Sequence, residues 1–156
     1  ATAFNAKQGV ATRLEGVQLV DPDSSDSSCS GSGIMTLTAS LPSGSTSLIS
    51  ISPTATGGVE VVSGAGALTG AATMTVRGSL EGLQSSVNTL SFSSAAEFVG
   101  AEEVALDFDD EGNCGGPALT SSATLSVNVY ASNDAPTITS TMLTAIQGAS
   151  DTGNIL

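Results

Sequence analysis

Hydrophobic and polar residues alternate in short runs along most of this chain. In "IMTLTASL", Met35, Leu37, Ala39 and Leu41 share one face, and Thr36, Thr38 and Ser40 the other. That is the period of a half-buried strand. "ATMTVRG" predicts another, with Ala72, Met74 and Val76 inward and Thr73, Thr75 and Arg77 outward. "SLISIS" and "GVEVV" read as two short strands separated by Pro53 and Gly57-Gly58. Leu14, Val17, Leu19 and Val20 predict a first substantial strand ending at Asp21-Pro22, before the loop "DPDSSDSSCSGSG". "EEVALDFDDEG" and "ATLSVNVYAS" form a last pair, joined by the loop "DDEGNCGGPALTSS".

The period changes once. In "SLEGLQSSVNTLSF", Leu80, Leu83, Val87 and Leu90 recur at helical spacing, with Ser79 placed as an N-cap. Gly82 and Ser85-Ser86 limit this to one or two turns crossing between strands, and "LSFS" returns to strand. About seven strands with one short helical crossover make an all-β chain with a β-sandwich count.

Composition narrows the reading. The 156 residues suit one domain. Hydrophobic residues make up 40%, aromatics only 3%, so the core is aliphatic, with Phe4, Phe92, Phe98 and Phe108 as its bulky pieces. Fifteen acidic against three basic residues give a net charge of −12. This argues against nucleic acid, which is bound through Lys and Arg, and against anionic membrane surfaces. It suits cation binding or a strongly solvated surface. No apolar run is long enough for a membrane span, so no direct membrane insertion is expected. No secretory leader is visible, which predicts a mature chain or an excised piece.

Catalytic signals are few. His is absent, so no Ser-His-Asp triad can form. Glu102-Glu103 and Asp109-Asp110-Glu111 are adjacent carboxylates rather than a pair facing across a cleft. "GAGALTG" precedes no Lys and opens no helix, unlike a phosphate loop. The expectation is that the chain is no enzyme.

A family pattern emerges from the second half. "LEGLQSSVNTLSFSSAAEFVGAEEVALDFDDEGN", followed by a strand and "SNDAP", resembles the cadherin-like and bacterial immunoglobulin-like repeats of large surface adhesins. The matching elements are Leu90-Ser91-Phe92, Phe98-Val99-Gly100, Asp110-Glu111-Gly112 and Asn133-Asp134-Ala135-Pro136, with "LVDPDS" near the start as the acidic turn. The resemblance implies an immunoglobulin/cadherin-like β-sandwich over residues 1–134. Residues 135–156 would be a linker and the first strand of a following repeat, or a strand donated to a neighbouring subunit. "NAKQGVAT" from Asn5 to Thr12 resembles "TAIQGASD" from Thr144 to Asp151: Ala6, Gln8 and Gly9 recur as Ala145, Gln147 and Gly148 at an offset of 139. Residues 1–10 would then hold the slot that the tail repeats in the next unit of a linear array.

The same resemblance implies a junction site. Asp21, Asp23 and Asp110 would converge at one domain end and meet an incoming linker, while Asn133 and Asp134 would serve the downstream junction. Oxygen ligands of this kind suit Ca²⁺. Ala131 and Gln8 stand where the family pattern has an Asp and a Glu. The alternative for the same carboxylates is turn hydrogen bonding alone. The implied topology also brings the loops of Cys29 and Cys114 to one end, favouring a disulfide and an oxidising, extracellular setting over two free thiols. The expected function is an extracellular structural or adhesion repeat whose partners are adjacent repeats or copies of itself. The alternative is a filament subunit assembled by strand addition. A carbohydrate-binding sandwich is a weaker third, with so few aromatics to offer.

Overall fold

The computed structural model describes residues 2–25, 33–53, 58–64, 70–113, 116–133 and 136. These fold into two sheets around one aliphatic core. The first sheet has six strands in the order β1-β9-β8-β3-β6-β5: β1 (Thr2–Lys7), β9 (Thr120–Tyr130), β8 (Gly100–Asp109), β3 (Ile34–Ser40), β6 (Thr73–Ser79) and β5 (Glu60–Ser63). It is mixed, because β1 runs parallel to β9 while the other pairings are antiparallel. The second sheet is antiparallel, in the order β2 (Thr12–Arg13), β7 (Ser91–Ser93) and β4 (Leu48–Ser50). An antiparallel bridge between Ile49 and Ala71 stitches the two together.

Alternation explains the layers. Met35, Leu37 and Ala39 of β3 are fully buried, and Met74 and Val76 of β6 lie beside them. Val104 and Leu106 of β8 and Leu125, Val127 and Val129 of β9 continue the same face. Ile49 and Phe92 close the core from the second sheet. A β-sandwich-like, predominantly β architecture is therefore present.

The helical crossover also forms. Helix α1 (Leu80–Val87) is capped by Ser79, whose side chain accepts from Gly82 N–H at 3.2 Å. Leu83 and Val87 turn inward, and the helix delivers the chain from β6 to β7.

Three expectations need correction. Nine strands are described rather than about seven: β4 and β7 fall on the "SLISIS" and "LSFS" runs, whereas the two-residue β2 that joins them in the second sheet was not expected. Ala72 is exposed, since β6 starts one residue later. Leu14–Val20 is not a ladder strand, although Leu14 is buried. Its backbone is satisfied by other partners: Leu14 N–H donates to Leu90 C=O at 2.9 Å, and Leu19 N–H to the side chain of Gln84 at 2.8 Å. The segment 135–156, expected as a linker and the first strand of a following repeat or a donated strand, lies outside the described residues apart from Pro136.

Candidate functional site: an acidic cleft at one end of the sheets

Two turns build the cleft. At the end of the Leu14–Val20 segment, Asp21 starts a 3₁₀ turn (Pro22–Ser25). Its Oδ1 accepts from Asp23 N–H at 3.0 Å, and its C=O accepts from Ser24 N–H and Ser24 Oγ at 3.3 and 2.7 Å. At the end of β8, Asp110 Oδ1 accepts from Leu119 N–H at 2.7 Å and Gly112 N–H at 2.9 Å. These donors, Leu119 foremost, hold the Asp110 carboxyl below the usual carboxylate range.

Asp21, Asp23 and Asp110 line a single cleft of about 260 Å³, walled by Val20, Phe108 and Leu119. No Lys or Arg is among its described lining residues. Asp21 Oδ2 is buried there without a hydrogen-bond partner among the described residues. A desolvated carboxylate oxygen with no donor is costly. A hard cation, or donors arriving on another segment, would relieve it. By themselves no three His, Cys, Asp or Glu among the described residues form a group able to hold a metal ion.

No protein-family model matches the chain, and no curated protein matches it. A solved structure aligns with it: a nucleoside hydrolase-related hypothetical protein from Saccharophagus degradans, described as associated with carbohydrate metabolism. The TM-score is 0.33 and the identity 15%, over 83% of this chain and 22% of that one. This chain thus spans about a fifth of that protein's length. The expectation that the chain is no enzyme, drawn from the missing His, the adjacent carboxylates and the lack of a phosphate loop, is withdrawn against this hydrolase-related match. A likeness at that TM-score carries no argument for an activity here.

The remaining candidates lie elsewhere. Asn133 follows β9, which runs from Thr120 beside Asp110 to Tyr130 at the far end. It is exposed there and does not join the acidic cleft of its own copy. Asp134, Cys29 and Cys114 lie outside the described residues. At the same far end, Gln8 Oε1 accepts from Ser132 N–H at 3.2 Å, tying β1's exit to the outgoing chain.

Sequence reasoning passed over two features of the site. Val20 and Leu119 are 72% and 64% exposed, an apolar rim on an acidic cleft. Gln84 anchors the segment leading into Asp21. The only signal for the latter was an amide side chain on a short amphipathic helix.

Proposed function

We propose that the chain is an immunoglobulin/cadherin-like repeat of an extracellular structural or adhesion protein, arranged head to tail with further repeats. The observation that carries the reading is the placement of the acidic groups. Asp21, Asp23 and Asp110 share one cleft, while the outgoing Ser132-Asn133 leaves from the opposite end of β9. Stacked units would bring one repeat's Asn133-Asp134 linker to the next repeat's acidic cleft.

The donors fit Ca²⁺, which takes six to eight oxygens. Asp21 and Asp110 each commit Oδ1 to turn N–H groups, so turn formation and cation binding are compatible in one side chain. With Ala131 and Gln8 short of the family's ligand set, affinity would fall in the ~10⁻⁴–10⁻³ M range of extracellular modules. A pair of linked repeats should gain thermal stability in millimolar Ca²⁺ and lose it with chelator. Asp21→Ala with Asp23→Ala should remove that gain and leave the sandwich folded. An unchanged melting temperature across the titration would reduce the cleft to solvated turns.

A second reading, strand addition between subunits, draws on β1. That strand sits at a sheet edge, held by β9 alone within its sheet, and three residues at and just after its end, Ala6, Gln8 and Gly9, recur in the tail. Many repeats in the full gene favour the array; a short single-domain gene favours the filament.

A further inference from the structure

β9 is longer than the strand that covers its outer edge. β1 pairs with it from Leu125 to Tyr130, whereas β8 runs along its other edge from Thr120 to Val129. Thr120–Thr124 therefore have a partner on one side and, among the described residues, none on the other. Burial follows that boundary. All five of these residues are exposed, and burial begins at Leu125, where β1 begins. Ser121 and Ala123 share the inward parity of Leu125, Val127 and Val129, yet they remain exposed and line a groove of about 230 Å³. The groove reaches the core at Leu37 and Leu106 and is flanked by Val17 and Leu19.

We infer that this open half of β9 accepts residues 136–139 of the preceding repeat as a parallel extension of β1. The inference rests on the head-to-tail reading above and specifies the junction's backbone. Register supplies the argument. Phe4 pairs with Val127 and Ala6 with Val129, so each β1 position faces the residue 123 further on. The sequence repeat places each residue of an upstream unit 139 positions before its counterpart. Together they set upstream Thr139 opposite Ala123, Ile138 opposite Ser122, Thr137 opposite Ser121 and Pro136 opposite Thr120.

The recurring residues each serve β1's course, which makes the offset a structural one. Ala6 is fully buried, Gln8 holds Ser132 N–H, and Gly9, at φ +68°, donates to Ser94 Oγ at 3.0 Å. Backbone parity also agrees. Gln8 N–H donates to Tyr130 C=O at 3.0 Å, so residues an even number of positions from Gln8 point their N–H and C=O at β9. Thr137 and Thr139 share that parity. Their N–H groups would meet Thr120 and Ser122 C=O, and their C=O groups would accept from Ser122 and Thr124 N–H. Pro136 falls at the strand's first residue, where a missing N–H is tolerated. Asp134, two residues further upstream, would then lie beyond the Thr120 end of β9, on the side of the Leu119 whose N–H binds Asp110. The extension would thereby lead the linker carboxylate towards the acidic cleft.

Amide hydrogen exchange followed by NMR tests this. The full chain is extended after Leu156 by residues 18–156 of a second copy, which keeps the 139-residue spacing. In the second unit, the Ser122 and Thr124 amides should exchange at least tenfold more slowly than in the single chain. Thr139→Pro in the first linker removes one donor and should return them to the single-chain rate, while the Ser126, Asn128 and Tyr130 amides, which face the first strand, stay protected. Fast exchange at Ser122 and Thr124 beside protected Ser126, Asn128 and Tyr130 overturns the extension and leaves the array standing. Loss of protection at Ser126, Asn128 and Tyr130 of the second unit overturns both.

Discussion

The side-chain amide of Gln84 does for Leu19 what a neighbouring strand would do. Its Oε1 accepts from Leu19 N–H at 2.8 Å, and its Nε2 donates to Val17 C=O at 3.0 Å. Nε2 also reaches Asn88 Oδ1 at 3.0 Å, which fixes the amide's orientation. One helical residue thereby holds the segment that presents Asp21 and Asp23. Gln84→Met keeps the length and removes the polar atoms, leaving two part-buried backbone groups unsatisfied. The expected cost is about 1–3 kcal/mol in urea unfolding, with faster exchange at Leu19 N–H. An unaltered midpoint would mean that water replaces the amide without penalty.

That contact also explains which parts of the fold were legible. β3, β6, β8 and β9 could be read because each alternates against a buried face, as Met35, Leu37 and Ala39 do. Helix α1 could be read because Ser79 and the Leu80-Leu83-Val87 spacing agree. Leu14–Val20 has the apolar content of a strand, but its partners are a Gln side chain and Leu90 C=O, which leave no periodic trace. The parallel β1–β9 pairing is equally silent, since the two strands lie at opposite ends of the sequence. The acidic cleft was visible because Asp-rich turns follow apolar runs. Its apolar rim at Val20 and Leu119 was not, because nothing in a sequence shows which strand-end residue stays uncovered.

Glu111 and Arg77 form a two-pronged ion pair: Arg77 Nε reaches Oε1 at 2.9 Å and Nη2 reaches Oε2 at 2.6 Å. The Thr36 hydroxyl also donates to Oε1. The Arg77 hydrogen bonds, then Thr36, bring the Glu111 carboxyl down to about 2 from 4.5. A depressed carboxylate stabilises above its unfolded pKa, and that contribution is lost as pH falls through the folded value. The stability difference between the native chain and Glu111→Gln should therefore be flat above pH ~5, shrink between about 4.5 and about 2, and vanish below. The pair is partly exposed, so solvent screening keeps the plateau small. A difference independent of pH would remove Glu111's ionisation from the account.

Gly112 completes the turn that Asp110 caps. Its φ is +74°, and a Cβ there would sit 2.7 Å from Gly116 C=O. Gly9 has a similar φ of +68° with open space around it. Gly9→Ala carries only the conformational cost, about 1–2 kcal/mol. Gly112→Ala adds a backbone clash and should destabilise more in thermal unfolding. Equal losses would show that the Asp110–Leu119 loop shifts freely.

The loops bearing Cys29 and Cys114 meet at their described flanks. Gly33 N–H donates to Asn113 Oδ1 at 3.1 Å, and Asn113 Nδ2 donates to Ile34 C=O at 3.2 Å. Cys114 follows Asn113 directly, and Cys29 precedes Gly33 by four residues, a span of at most ~14 Å. With both loops pinned at one end of β3, a Cys29–Cys114 disulfide is our expectation for the chain in an oxidising setting. It would close a loop on the order of 85 residues, and loop entropy puts its stabilisation at about 4–5 kcal/mol. The oxidised chain should be lighter than the reduced one by two hydrogens. Its urea midpoint should drop on reduction to that of the Cys29→Ser, Cys114→Ser double variant. Two thiols titrating freely in the oxidised, folded chain would leave Asn113 alone to hold the loops together.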